Sequence, residues 1–250
     1  MIKVSGLSKS FGKQAVLQQI SFEVPRGDVL ALIGPSGAGK STLLRCLNLL
    51  ETSDTGLLRV GDLNIDCSQR VPSKTLQQLR QATAMVFQNY NLFKNKTALD
   101  NIALPLITAK GFSSTEARER AFQLLERVDL TKQASQYPAT LSGGQQQRVG
   151  IARALALDPE VILFDEPTSS LDPERVAEVL SVIKSLAHRD ITMIISTHEI
   201  SFARQVANQI LFMADGQIIE RGQAKAVLDD ASHERTRRFL QQLTPSIVIS

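Results

Sequence analysis

The 250-residue chain has no tryptophan, two tyrosines, two cysteines and three histidines. Two cysteines cannot build a disulfide framework, and Cys46 and Cys67 lack metal-ligand spacing, so both read as reduced thiols of a cytosolic protein. No run of eighteen apolar residues occurs, which excludes a membrane-spanning helix, and Met1-Ile2-Lys3-Val4-Ser5 opens as a strand-like alternation rather than a cleavable leader. Neither sign of charge dominates. The 28 Lys and Arg against 25 Asp and Glu leave a net charge of +3, and the basic residues are spread along the chain apart from Arg235, Arg237 and Arg238. The electrostatic footprint of a nucleic-acid-binding protein is therefore missing. Repeats and low-complexity linkers are absent too. What remains is a chain 43% hydrophobic, long enough to bury a core as one domain of two lobes or as two small domains.

The densest signal is Gly34-Pro35-Ser36-Gly37-Ala38-Gly39-Lys40-Ser41-Thr42, preceded by the apolar run 29–33 and followed by the leucine-rich stretch 43–50. Strand, glycine loop and helix in that order form a cradle for phosphates. Backbone N–H groups must approach crowded anionic oxygens, and side chains at Gly34, Gly37 and Gly39 would obstruct them. Lys40 suits the β- and γ-phosphates as a point charge. The Ser41 hydroxyl suits Mg²⁺, and the helix N-terminus adds its dipole. An ordinary strand–helix turn needs no lysine and serine at these places.

Short runs of partial period-two alternation at 2–7, 20–24 and 57–60, punctuated by Gly12, Gly27, Gly56 and Gly61, predict antiparallel strands flanking the buried P-loop strand. A short helix is expected over 71–80 and a strand over 82–87, ending at Gln88. Helices follow at 98–106 and 114–128, the latter capped by Ser113 or Ser114 with Ala117, Ala121, Leu124, Leu125 and Val128 on its apolar face. The runs 161–164 and 191–195 read as buried parallel strands with a helix at 173–187 between them. Asp215-Gly216 predicts a two-residue hairpin between 210–214 and 217–220, and one helix over 225–243 closes the chain.

Val161-Ile162-Leu163-Phe164-Asp165-Glu166-Pro167 sets two carboxylates at the carboxyl end of a buried strand, where open α/β sheets bind ligands. With a P-loop upstream, Asp165 is the expected Mg²⁺ holder and Glu166 the base that polarises the attacking water. Leu141-Ser142-Gly143-Gly144-Gln145-Gln146-Gln147-Arg148 opens a helix running to Leu157, Ser142 suiting the N-cap and the glycines leaving the helix end bare for an anion. By itself this octapeptide reads better as a Ser-capped helix than as an anion site.

Taken with the P-loop and the Asp165-Glu166 strand, it resembles the signature sequence of ATP-binding cassette (ABC) proteins, and the resemblance covers essentially the whole chain. It implies an α/β P-loop NTPase core, a mostly parallel sheet flanked by helices, with an antiparallel β subdomain and an inserted helical subdomain. The chain is then a single ATPase domain, with 1–94 and 159–250 as the core and 95–158 as the helical part carrying the signature. Phe11 falls where the family stacks an aromatic on adenine. Gln88 matches the Q-loop, which implies contact with nucleotide and metal. Ser170-Leu171-Asp172 matches the D-loop, and His198 the switch histidine at the γ-phosphate. In this family two copies meet head to tail, the P-loop of one and Ser142 to Gln145 of the other sandwiching each ATP.

Finer resemblance lies in Val86-Phe87-Gln88-Asn89-Tyr90-Asn91-Leu92-Phe93, in the run from Ser196-Thr197-His198-Glu199 to Asp215-Gly216, and in His233-Glu234-Arg235-Thr236-Arg237-Arg238. These segments are similar to the ATPase subunits of bacterial polar amino-acid importers. The implied protein is peripheral on the cytoplasmic face of the inner membrane. It is docked on an integral permease through a groove near the Q-loop, and a separate binding protein selects the substrate. An exporter or lipoprotein-release cassette, or a regulatory cassette with no transported solute, is the alternative. One departure stands out. Lys94-Asn95-Lys96 replaces a proline- and histidine-containing stretch, so more charge is expected in the docking groove and a more polar or acidic coupling segment in the permease. The basic stretch 233–238 reads as a solvated helix face or a contact for anionic lipid. The chain ends soon after it, leaving out the appended regulatory domain of sugar and methionine importers.

Overall fold

In the computed structural model, which describes residues 1–187 and 191–243, the short strands and glycine punctuation resolve into two sheets. The first is antiparallel, in the order β2-β1-β4-β5, from β1 (Ile2–Phe11), β2 (Gln14–Val24), β4 (Thr55–Val60) and β5 (Leu63–Asp66). The second has the order β10-β9-β3-β8-β7-β6, from β3 (Val29–Ile33), β6 (Thr83–Val86), β7 (Val161–Asp165), β8 (Thr192–Ser196), β9 (Gln209–Ala214) and β10 (Gln217–Gln223). Its pairings are parallel except for the β9–β10 hairpin. Asp215 and Gly216 both take left-handed backbone, φ 50° and 74°, as a two-residue turn matched to strand twist requires.

The antiparallel strands do not flank the P-loop strand, as the sequence predicts. The neighbours of β3 are β8 and β9, and the antiparallel sheet is a separate layer. The reason lies in α1 (Lys40–Leu47), whose Leu43, Leu44, Cys46 and Leu47 are all buried. That helix is clamped between Ile2, Leu7, Leu17 and Ile20 of one sheet and Leu30, Leu32, Leu163 and Ile194 of the other. A helix packed against two sheets needs apolar residues over a broad arc, which Leu43, Leu44, Cys46 and Leu47 supply while Arg45 stays exposed. Burial also pushes the Cys46 thiol up to about 12, so it stays an inert apolar filler.

Strand alternation sends Val161 and Leu163 of β7 into this layer and Ile162 and Phe164 to the opposite face of the sheet. There they meet α5 (Gly143–Ala156) and α6 (Pro173–Ala187), and beyond them α3 (Ala98–Lys110) and α4 (Ser114–Arg127). The apolar face expected for α4 is buried throughout, and Ser113 and Glu116 close a capping box at its start. α3 runs past 106, carries Pro105 inside it and stops where Gly111 turns left-handed at φ 74°. Near its start the buried Asn101 side chain accepts from Phe93 N and donates to the carbonyls of Phe93, Lys96 and Thr97, which ties the 93–97 segment down.

α2 (Ser73–Ala82) lies within a few residues of its expected place. The helix expected over 225–243 is two: α8 (Ala224–Asp229) and α9 (Glu234–Leu243). Glu220 of β10 accepts hydrogen bonds from Ser232 N, Ser232 Oγ and His233 N at 2.7–3.2 Å, so the link is pulled onto the sheet edge and the helix cannot continue through it. The three arginines are engaged within the chain. Arg235 pairs with Asp215 at 2.7 Å, Arg237 donates to the carbonyls of Ala231 and Ser232, and Arg238 pairs with Glu234. Among the described residues no helix is long and apolar enough to cross a membrane.

Candidate nucleotide site

The loop between β3 and α1 is shaped by positions where a side chain has no room. Gly34 has φ 144°, and a Cβ on it would lie 2.1 Å from the Met213 carbonyl oxygen of β9. Gly39, at φ 97°, faces the Val16 carbonyl at 2.8 Å. The loop is thus wedged between the central sheet and the β1–β2 hairpin, and only glycine fits at the two contacts. It encloses a cavity of about 360 Å³ lined by Val16, residues 36–42 and Glu166.

Lys40 is 4% exposed. Its ammonium donates to the carbonyls of Gly34 and Pro35 at 2.8 and 3.1 Å and lies 3.7 Å from Glu166 Oε1. Burial lowers its pKa, and the charges of Glu166 and Asp165 oppose that. Ser41 Oγ donates to Asp165 Oδ1 at 2.6 Å. Asp165 is buried, with Arg45 at 3.9 Å from its other oxygen. Glu166 sits in left-handed backbone, φ 45°, held by its N–H donating to Ser196 Oγ at 2.9 Å. That strained backbone turns its carboxylate back over the P-loop. There Oε1 is 3.0 Å from His198 Nε2, and this hydrogen bond, aided by the His198 and Lys40 charges against the cost of burial, holds the carboxyl below the ordinary glutamate range.

Ser41, Asp165 and Ser196 place hard oxygens side by side, which suits Mg²⁺, a cation that prefers one or two protein oxygens plus substrate phosphate and water. Ser196, buried and bonded to Glu166 N and Asp165 Oδ1, is a site residue that sequence reading passed over. In the sequence it is only the first residue of the run Ser196-Thr197-His198-Glu199.

Five predicted residues, Lys40, Ser41, Asp165, Glu166 and His198, thus converge. Phe11, half exposed, stands at the tip of the hairpin whose Val16 lines the cavity. The remainder lie away from the cavity lining. Gln88 has an exposed side chain, and its carbonyl accepts from Ser170 Oγ at 2.8 Å. Asp172 caps α6 through Arg175 N at 3.2 Å. Ser142 and Gln145 form a capping box: Ser142 Oγ accepts from Gln145 N, and Gln145 Oε1 accepts from Ser142 N at 2.9 Å. Tyr90 packs across these loops. A Cβ on Gly143 would meet its hydroxyl at 2.7 Å, and that hydroxyl is 3.2 Å from Ser170 Oγ.

A second cavity, about 350 Å³, opens beside the Q-loop and is lined by Leu50, Met85, Phe87, Phe93, Leu104 and Arg153 among others. Lys94 and Lys96 are exposed and are not part of this lining, contrary to the charge expected of them there. Asn101 fixes the backbone of their segment, and the cationic character comes from Arg80 and Arg153 instead. Arg153 donates to the carbonyls of Asn91 and Tyr90 and packs against the Phe93 ring at 5.9 Å.

A glycine cradle at a helix N-terminus, an oxygen cluster and a lysine–glutamate–histidine arrangement at the carboxyl ends of parallel strands together define a P-loop nucleotide hydrolase. A family profile described as "ABC transporter" matches residues 17–169, and the chain belongs to that family. It is 55% identical over 243 residues to a probable amino-acid import ATP-binding protein, YxeO, of Bacillus subtilis (strain 168), covering 97% of each chain. It is 52% identical over 243 residues to the L-cystine transport system ATP-binding protein TcyN of Escherichia coli (strain K12), covering 96% of this chain and 97% of that one. A solved ATP-binding cassette, dimeric in a post-hydrolysis state with ADP and Pi, superposes with a TM-score of 0.80 at 33% identity, over 90% of this chain and 99% of that one. The chain is an ATPase cassette.

Proposed function

We propose that this chain is the ATP-hydrolysing subunit of an importer of polar amino acids, acting as a head-to-tail homodimer on the cytoplasmic face of a membrane permease that a substrate-binding protein supplies. The observation that carries the ATPase half is the convergence of Lys40, Ser41, Asp165, Glu166 and His198 on one glycine cradle. The import half is supported by similarity to proteins named for amino-acid import.

The triphosphate binds the loop N–H groups, and Lys40 exchanges its two carbonyl partners for phosphate oxygens. Glu166 is ionised at neutral pH, so once a water sits in line with the terminal phosphate it accepts a proton from that water. His198, already bonded to Glu166, orients that carboxylate and reaches the γ-phosphate side. Ser41, Asp165 and Gln88 would hold Mg²⁺, which would supply neutralisation of phosphate charge. Ser142 to Gln145 and Asp172 face a second copy, because within one chain they lie outside the P-loop cavity. ATP closes the pair and hydrolysis releases it, a two-state switch driven by differential binding. The cavity beside Phe93 receives the permease.

The test is to tag the chain, solubilise its native membranes gently, identify what co-purifies, and assay ATPase activity with a panel of polar amino acids and binding protein. Co-purification of a multi-span permease, with ATPase stimulated by one class of amino acid, is expected. A soluble partner, or a membrane partner indifferent to solutes, overturns the import reading and leaves the ATPase standing.

A further inference from the structure

We infer that Lys9 is a positioning residue for the nucleotide base: its ammonium backs one face of the Phe11 ring so that the other face stacks on adenine. This rests on Phe11 being the base platform.

Lys9 lies two residues before Phe11 near the end of β1, and its Nζ stands over the Phe11 ring at 4.9 Å from the centroid. The ammonium cannot drift. It donates to the Thr52 carbonyl at 2.6 Å and pairs with Glu51 at 3.0 Å and Asp54 at 3.8 Å, with its side chain only 12% exposed. Its hydrogen bond to the Glu51 carboxylate raises its pKa, so it is charged throughout the working range. Asp54 Oδ2 also accepts from Ser10 N at 2.7 Å. Lys9 and Ser10 are thus both bolted to the link between α1 and β4, and Phe11 follows directly at the hairpin tip. Phe11 itself remains 48% exposed, so the residue that carries the platform is half open to solvent.

The physical argument has two parts. A phenyl ring on an exposed hairpin tip rotates among rotamers, and a cation fixed over one face selects the orientation that keeps that face covered. The cation also draws on the negative face of the ring, which lessens its repulsion with an electron-rich purine on the far side. The same helix begins at the phosphate cradle and leads into the clamp on Lys9, so triphosphate and base are gripped from opposite ends of α1.

The experiment measures affinity by calorimetry for ATP and for inorganic tripolyphosphate, which has no base, using wild type, Lys9→Met, Lys9→Arg, Phe11→Ala and the Lys9→Met/Phe11→Ala double variant. Thermal melts verify folding. Phe11→Ala is expected to weaken ATP about 10-fold with tripolyphosphate unchanged. Lys9→Met is expected to weaken ATP about 3- to 10-fold, again sparing tripolyphosphate, with Lys9→Arg restoring it and no further loss in the double variant. If Lys9→Met weakens both ligands alike, or adds its full loss on top of Phe11→Ala, Lys9 is a structural residue and the inference is wrong. Unchanged ATP affinity in Lys9→Met while Phe11→Ala binds weakly overturns Lys9 and leaves the platform standing. Should Phe11→Ala itself bind ATP normally, the platform falls and Lys9 with it.

Discussion

The P-loop and the signature are both glycine-rich entries to a helix, yet the chain finishes them differently. At the P-loop the cradle is deep and charged. Lys40 is buried, internally paired and set against an ionised Glu166, and the glycines are demanded by this chain's own backbone, as the 2.1 Å approach of Met213 to a Cβ on Gly34 shows. At the signature the helix end is neutral. Ser142 and Gln145 satisfy each other, and Gly143 is crowded only by the Tyr90 hydroxyl and a Leu171 methyl, ends of side chains that can move. The catalytic groups are thus gathered within a single chain, whereas the signature end is a capped surface outside that cavity. The contrast fits the proposed arrangement, in which one copy keeps the chemistry and the other supplies the gate.

The largest expected effect tests the chemical half. Glu166→Gln removes the proton acceptor while keeping the shape, so kcat falls about 10³-fold while ATP is still bound. Light scattering at saturating ATP then reports a trapped dimer, and monomer alone would break the head-to-tail arrangement. Next comes the glycine contrast. Gly34→Ala costs about 2–4 kcal/mol of stability, because a backbone carbonyl must move and φ 144° is strained for alanine. Gly143→Ala costs about 1 kcal/mol in chemical denaturation yet blocks the ATP-dependent dimer on the Glu166→Gln background. Equal stability losses at the two glycines would erase the distinction. Ser142→Ala loses the cap bond and about 1 kcal/mol of stability by the same measurement.

The smallest effect concerns pH. Because the folded-state pKa of Glu166 is depressed, its pairing contributes stability that is fully present above the unfolded glutamate value, about 4.3, and is lost as pH falls through the lower folded value. Thermal melts of wild type therefore drop more steeply on acidification below about pH 4.5 than those of Glu166→Gln. Parallel curves would mean that the His198 contact adds nothing to the folded state.

Much of this was legible before any coordinate. The P-loop carries residue types that phosphate chemistry demands at that spacing, the Asp165-Glu166 strand end takes its meaning from that P-loop, His198 enters through the resemblance to the family, and they converge. The helix boundaries of α4 and α6 follow from caps and an apolar stripe, both local features. Ser196 and Lys9 escaped because a serine in a strand and a lysine in a hairpin are unremarkable until their partners, 31 residues away at Asp165 and 43 at Thr52, are brought alongside. The charge expected of Lys94 and Lys96 in the groove failed for the same reason, since Asn101 decides where that segment runs.

By itself the sequence determined the chemistry and the local elements, because phosphate cradles, caps, hairpin turns and buried runs are specified by residues within a few positions of one another. The tertiary structure alone decided which sheet each strand joins, why α1 must be apolar over so broad an arc, how the last helix breaks at Ser232, and that the signature stays outside its own chain's nucleotide cavity. Those outcomes depend on contacts between residues far apart in the chain, and no short window of sequence contains both partners.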